Sequence, residues 1–450
     1  MKFRTMQTDK GYRKEHLWLP KSRIPNPGAL KSSLSFPVGG EGLTVSALTE
    51  TQAHYLVPRE YIPFPEWGDL DFEIEDRTFE GFPEIQVGCR ATPRNSIQKE
   101  AHQALLEYGN GILSLACGKG KTVVALMAWC DLRVPALIVV HTAELMKQWR
   151  ERIVEFTSLR DEDIGTYQGE QVDWQKPVCI AMLKTLALRN RDALLPDGFQ
   201  EHFGVVIFDE VHNIGAPFFQ SCGAVGRGLR WGLSATHERD DGLDALYKYH
   251  IGPVVYENLD QDIIPETYFM RLHTVIPLDV LPTLRDRNGE INIALLQTWL
   301  SELPSRNTDI AITVQNAIDD GRKMLCLTNR VEQINHLTEV FGELASKIHG
   351  KVGKKREGAL HRTDLVFATT SLAKEGLDRE DLDTIMLLLP VTKKGMFRQI
   401  IGRGQRSAED KPVPVVIVFE DKNIKICVAM CRKLRKHLTS FGYPFHMIDV

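Results

Sequence analysis

The sequence predicts an α/β chain: two successive parallel-sheet units preceded by a small β-rich domain. The first observation is a set of short apolar runs without polar alternation, Ala136–Val140, Val178–Met182, Val205–Phe208 and Trp231–Ser234. Longer amphipathic segments separate them, as expected where parallel strands are buried on both faces. The second is that the rhythm resumes in Lys323–Leu327, Leu365–Ala368, Thr384–Leu389 and Val413–Phe419. The third lies before Cys89, where Leu43–Leu48, His54–Val57 and Leu70–Ile74 alternate with period two among Pro and Gly residues. That pattern marks short half-buried strands. From Asn95 the character changes. Ile97–Tyr108 has helical spacing, and Gly111–Ala116 is a short apolar strand. The expected divisions are a β-rich domain over 1–88, a first α/β unit over 89–255, a linker region over 256–300 and a second α/β unit over 301–450.

A chain of 450 residues that is 43% hydrophobic and 25% charged can build several cores, which excludes wholesale disorder. The longest apolar runs fall far short of the ~18 residues a membrane span needs. The charged opening lacks the apolar stretch of a secretory signal. The eight cysteines are scattered, and several sit in apolar runs. A reduced, cytoplasmic protein is therefore expected. Cys427 and Cys431, with His437 beyond, read as helix core in preference to metal ligands, since no second ligand pair lies near. The net charge of −4 argues mildly against a nucleic-acid partner. Its distribution is uneven, however. Glu66 to Glu84 is acidic, whereas Lys347–Arg362 and Lys422–His437 are basic.

Three motifs carry chemistry. In Gly111–Thr122 (GILSLACGKGKT) a strand ends at Ala116, a Gly-rich turn follows, and Lys121-Thr122 opens a helix. Gly118, Lys119 and Gly120 let backbone amides close around phosphate. Lys121 would reach the β- and γ-phosphates, and Thr122 would be a ligand for Mg²⁺. Leu115 stands where the full motif has Gly. In Val205–His212 (VVIFDEVH) two carboxylates end a buried strand. Asp209 suits Mg²⁺, and Glu210 suits a general base toward water. Together these motifs indicate an ATPase. In Phe397–Arg406 (FRQIIGRGQR), Gln399 and Arg403 fall one helical turn apart, with Arg406 beyond. Guanidinium groups of this kind stabilise charge on a transferring phosphoryl group.

With these motifs in this order, the chain resembles superfamily 2 helicases over about Arg90 to Phe419. The resemblance implies two RecA-like domains in tandem with ATP between them. It implies that Gln98, in TPRNSIQ, reads adenine with help from Arg94. Ser234, Ala235 and Thr236 would couple ATP state to the nucleic-acid site, and Gly376 and Asp378, in KEGLD, would join the ATP site. Gln399, Arg403 and Arg406 would act in catalysis. Contacts to nucleic acid would come from His141, Thr142, Thr185, Asn329, Arg330, Thr369 and Thr370, positioned to touch phosphate without reading bases. The segment Gly232–Gly242 (GLSATHERDDG) is similar to that of XPB-like and UvsW-like DNA helicases, with His237 in place of Pro. The likeness extends to the branch-migration helicases of T5-like bacteriophages, which remodel forks and Holliday junctions. It implies a monomer acting on DNA junctions, away from membranes, in the host cytoplasm if phage-encoded. An RNA helicase, an ATP-switched nucleic-acid scaffold and a restriction-type motor stay open as other readings.

Overall fold

The computed structural model describes residues 10–450 apart from 39–42, 62–71, 79–80, 117, 212–216, 236–242, 261–263, 351–357, 359–360, 371–378, 380, 390–396, 398–400 and 402–411. Two compact units divide the chain, Met1–Leu259 and Asp260–Val450. No helix among the described residues is long and apolar enough to cross a membrane.

The first unit contains a five-stranded sheet ordered Thr49–Glu50, His54–Pro58, His16–Pro20, Gly11–Arg13, Ile74–Asp76, with a separate hairpin of Ser35–Val38 and Leu43–Ser46. Its apolar faces do not close on themselves. Leu17, Leu19, Leu30 and Val57 share one buried cluster with Leu243 and Leu246, which lie far along the chain. The β-rich start is thus packed against the α/β part of its own unit. A polar staple adds to this. The fully buried Arg59 donates from Nη1 to the carbonyls of Arg227 and Gly228 at 3.2 and 2.8 Å, and from Nη2 to Asn110 Oδ1 at 3.1 Å. Asn110 Oδ1 also accepts the backbone N–H of Arg230 at 2.8 Å. The Arg230 guanidinium, equally buried, donates to the carbonyls of Glu15, Gly226 and His250. Most donors of the two buried guanidinium groups are met in this way, which offsets their burial, while Arg230 Nε has no partner among the described residues.

The eight-stranded sheet of the first unit is ordered Gln171–Asp173, Ile164–Gln168, Val178–Met182, Ala136–Val140, Val205–Asp209, Leu229–Ser234, Gly111–Leu115, Val254–Asn258. All neighbours are parallel except the outermost Gln171–Asp173. The central strands are fully buried, as their unbroken apolar runs require. Registers pair Val140 with Met182, Asp209 with Leu233 and Ser234 with Ser114, so the strands end along one edge.

The second unit holds a fully parallel seven-stranded sheet ordered Ala345–Ile348, Leu365–Thr369, Met324–Thr328, Thr384–Leu387, Val415–Asp421, Glu266–Leu272, Phe445–Asp449. One expectation is corrected here. Within the stretch read as linker, Glu266–Leu272 pairs along its length with Val415–Asp421 and is a strand of this sheet. Its mixed polarity (ETYFMRL) hid it, because only Phe269, Leu272 and Thr267 are buried. A buried ion pair anchors the same region. Arg306 Nε donates to Asp421 Oδ1 at 2.9 Å, both side chains being inaccessible to solvent. Thr274 Oγ1 donates to the same oxygen at 2.7 Å, and Arg306 Nη2 to the Leu388 carbonyl at 2.7 Å.

Cys427 and Cys431 are buried on the inner face of the helix Lys425–Phe441. Burial pushes both thiols up, Cys427 to about 12. Buried, protonated thiols of this kind are what a packed helix face produces.

Candidate nucleotide site

The phosphate loop follows the buried strand Gly111–Leu115 and leads into the helix Lys121–Leu132. Gly118 and Gly120 have φ of +83° and +82°, left-handed values that side chains disfavour. Gly120 is the N-cap and no side chain caps the helix. Its first amides are therefore left for an anion. A Cβ on Gly120 would lie 2.4 Å from Gln98 Nε2, so the glycine is also required for close approach.

Gln98 lies on the helix Ser96–Tyr108, which Asn95 caps. The Gln98 amide spans the base of the loop: Oε1 accepts the Arg94 backbone N–H at 2.9 Å, and Nε2 donates to the Lys119 carbonyl at 3.0 Å. Lys121 Nζ donates to the Leu115 carbonyl at 3.0 Å. An ammonium has three donors, and only one of them is used among the described residues. Thr122, half-buried, is the second residue of the helix.

Asp209 ends the strand Val205–Asp209, on the same sheet edge as the loop. Asp209 Oδ2 accepts Trp149 Nε1–H at 2.9 Å and Oδ1 accepts the Glu210 backbone N–H at 3.0 Å. Burial, and then the adjacent Glu210 carboxylate, push the Asp209 carboxyl up to about 6, against the lowering pull of Trp149, Lys121 and His141. Lys121 and Asp209 are thus close enough to feel each other's charge. Glu210 has φ of +50°, a left-handed value rare outside glycine. Backbone held this way costs about 1–3 kcal/mol and gathers at functional sites. The donor set is a threonine hydroxyl and a carboxylate, both hard oxygen donors. It fits Mg²⁺, which is commonly held by one or two protein oxygens plus substrate phosphates. Residues fit for the metal are therefore Thr122 and Asp209.

Ser234 ends the next strand and Ala235 follows it, both buried. His141 and Thr142 follow the strand Ala136–Val140 on this edge. His141 Nδ1 is buried without a hydrogen-bond partner among the described residues. Thr142 Oγ1 caps the helix Ala143–Phe156 by accepting the Leu145 N–H at 3.2 Å. Thr185 Oγ1 accepts the Gly169 N–H at 3.2 Å. In the second unit, Asn329 is exposed at the end of Met324–Thr328, while Arg330 Nη2 donates to the Ala294 carbonyl at 2.6 Å. Thr369 ends its strand, and Thr370 is buried. Thr236, Gly376, Asp378, Gln399, Arg403 and Arg406 lie outside the described residues. Beside them, Phe397 and Ile401 are buried in the second core. Arg379 donates to Asp381, Asp364 and the Thr363 carbonyl.

Two participants escape a motif search. Trp149 stands 60 residues before its carboxylate, and no local pattern links the two. Asn95 caps the helix that carries Gln98.

Residues 92–239 match the family described as Type III restriction enzyme, res subunit. A "Putative ATP-dependent RNA helicase L396" of Acanthamoeba polyphaga mimivirus is 26% identical over 82% of this chain and 71% of its own length. A "DNA 3'-5' helicase XPB" of Mycobacterium tuberculosis is 32% identical over 57% of this chain and 51% of its own. Among solved structures, S. cerevisiae Dbp5 bound to RNA and ADP BeF3 superposes with a TM-score of 0.53 at 17% identity, over 79% of this chain and 89% of that one. The fold is a tandem RecA-like α/β fold. Sequence and fold together support a helicase-type ATPase.

Proposed function

We propose that this chain, a superfamily 2 helicase-type ATPase, couples ATP hydrolysis to the remodelling of branched DNA, forks and Holliday junctions included, in recombination, repair or replication. The observation that carries the ATPase part is the juxtaposition of an uncapped helix N-terminus, Lys121 and the Asp209–Glu210 pair on one edge of a parallel sheet. Ligands of open α/β sheets gather at that edge. The DNA part draws support from relatives named as DNA 3'-5' helicases and from the segment Gly232–Gly242. The phage branch-migration likeness belongs to this proposal.

In this reading Lys121 binds the β- and γ-phosphates, and Thr122 and Asp209 hold Mg²⁺. The metal, when bound, neutralises phosphate charge. Glu210 takes the proton of the attacking water. Gln98 and Arg94 contact the base, and Gly376 and Asp378 complete the nucleotide contacts. Gln399, Arg403 and Arg406 meet the charge that develops in the transition state. Ser234, Ala235 and Thr236 relay nucleotide state to DNA held by the polar strand ends at His141, Thr142, Thr185, Asn329, Arg330, Thr369 and Thr370.

ATP turnover measured with linear duplex, fork, Holliday junction and RNA side by side tests the proposal. Turnover should be low alone and rise most with branched DNA, and binding should weaken steeply with salt as phosphate contacts release counterions. Glu210→Gln should keep ATP binding and lose turnover. Arg403→Ala should lower kcat far more than ATP affinity. A second reading, an RNA helicase, is favoured by the name of the mimivirus relative. Equal stimulation by RNA would establish it in place of the first.

A further inference from the structure

Three tryptophans, Trp129, Trp149 and Trp231, are fully buried in the core of the first α/β sheet. Two of them satisfy backbone. Trp129 Nε1–H donates to the Val134 carbonyl at 2.7 Å, and Trp231 Nε1–H to the Gly109 carbonyl at 2.7 Å. Trp149 breaks the pattern. Its Nε1–H donates to a carboxylate, Asp209 Oδ2, at 2.9 Å. The other carboxylate oxygen accepts the Glu210 backbone N–H at 3.0 Å. Each Asp209 oxygen therefore has its own donor, and rotating the carboxylate would disturb both bonds.

We propose that Trp149 is a positioning residue that fixes the plane of the Asp209 carboxylate for the Mg²⁺ of the bound nucleotide. This rests on the ATPase reading and deepens it. An indole suits the task physically. It is a donor only, and it carries no charge. A lysine or arginine in its place would cancel the negative charge that attracts the metal. A smaller hydroxyl could rotate away, but the ring is wedged in a packed core and aims its single N–H one way. The helix Ala143–Phe156 supplies the rigidity, with Thr142 capping its start and Met146 and Ile153 buried one turn either side. Each carboxylate oxygen keeps a further lone pair, and the strand that Asp209 ends lies two places from Gly111–Leu115, which leads into the phosphate loop. Groups that orient a metal-binding side chain without touching the metal commonly change metal affinity by about 10–100-fold when removed.

The comparison uses the full chain in three forms: unaltered, Trp149→Phe and Trp129→Phe. Both substitutions remove an indole N–H and part of a ring from the same core, so their packing losses match. Binding of a fluorescent ATP analogue is measured in EDTA and across a Mg²⁺ titration, alongside turnover. Trp149→Phe should bind the analogue normally in EDTA, need about 10–100-fold more Mg²⁺ for half-maximal metal-dependent binding, and show a matching shift in the Mg²⁺ dependence of kcat. Trp129→Phe should keep the unaltered midpoint. An unaltered midpoint in Trp149→Phe, or an equal shift in Trp129→Phe, would overturn the role. A further measurement does not depend on the Phe variants folding. In the unaltered chain one indole N–H resonance, identified by its displacement in Asp209→Asn, should move when Mg²⁺ is added to the nucleotide-bound protein and stay put with nucleotide in EDTA. A resonance that ignores Mg²⁺ refutes the proposal. Failure of the unaltered chain to bind nucleotide with any Mg²⁺ dependence would instead overturn the nucleotide site itself, and this role with it.

Discussion

Gly120 shows how tightly single residues are constrained at the phosphate loop. Its φ of +82° alone penalises any side chain by about 1–2 kcal/mol. The Cβ of alanine would also meet Gln98 Nε2 at 2.4 Å, and Gln98 cannot simply yield, because both ends of its amide are bonded. Gly120→Ala should therefore weaken nucleotide binding at least tenfold while the core stays folded. Adding Gln98→Ala should not restore it fully, since the backbone penalty persists and the base contact proposed for Gln98 is lost as well. Titration with a fluorescent nucleotide reads both. Full recovery in the double variant would mean that the collision, and not the left-handed backbone, dominates. At this scale the sequence was informative where chemistry has a spacing. GKGKT and DEVH stand out because phosphate and metal demand fixed residue types in order. Trp149 does not stand out. A tryptophan on an apolar helix face is an ordinary core residue until tertiary structure brings a carboxylate to its N–H.

Elements were legible in proportion to how completely they are buried. Ala136–Val140, Val178–Met182 and Val205–Asp209 are buried almost throughout, and the sequence shows them as unbroken apolar runs ending at Val140, Met182 and Phe208. Ile164–Gln168, Glu266–Leu272 and Phe445–Asp449 lie toward or at a sheet margin, carry Thr, Glu, Arg or His, and escaped notice. Pairing between strands distant in sequence, not local pattern, makes them strands. The ion pair beside the strand Val415–Asp421 was equally hidden, because nothing in a sequence marks one arginine among many as buried. Arg306→Met should cost about 3–5 kcal/mol, for it strands the Asp421 carboxylate in the core with Thr274 as its remaining side-chain donor among the described residues. Arg306→Met combined with Asp421→Leu should recover much of that loss. Urea unfolding of the two variants decides it. A double variant no better than the single one would show that the pair itself contributes the stability.

At the scale of the whole first unit, the staple between its two sheets makes folding sensitive to acid. His250 is buried, and burial together with Arg230, His16 and Arg59 holds its imidazole well below the usual range. Both ring nitrogens lack a hydrogen-bond partner among the described residues. Burial, with Arg230 nearby and against the opposing pull of Glu15, also lowers His16 to about 4. Above pH ~6.5 both histidines are neutral, folded or unfolded, and neither affects stability. Below that the unfolded chain takes up protons that the folded chain refuses. Stability then falls with pH, by roughly 1 kcal/mol per unit per histidine, down to about pH 4 for His16 and to well below pH 6.5 for His250. His250→Leu removes one of these groups together with its unsatisfied nitrogens. It should be neutral or stabilising at pH 7 and should clearly flatten the decline between pH 6 and pH 4. Melting temperatures across that range test it; a slope equal to that of the unaltered chain would refute it.

Asn110 occupies an unusual mechanical position. Its side chain receives Arg59 from the β-rich sheet and the backbone of Arg230 from the α/β sheet. The next residue begins the strand Gly111–Leu115, whose far end feeds the phosphate loop. Five residues at ~3.3 Å each give a strut of ~17 Å. Because this strut is hydrogen-bonded on both sides within a parallel sheet, it resists tension along its axis as a rod does. A pull on the first sheet would be borne in part by Asn110, and the strand would pass what its neighbours do not take to the glycines that shape the anion cradle. The β-rich start is in this sense a handle, with its grip at one end of the strand and the nucleotide chemistry at the other.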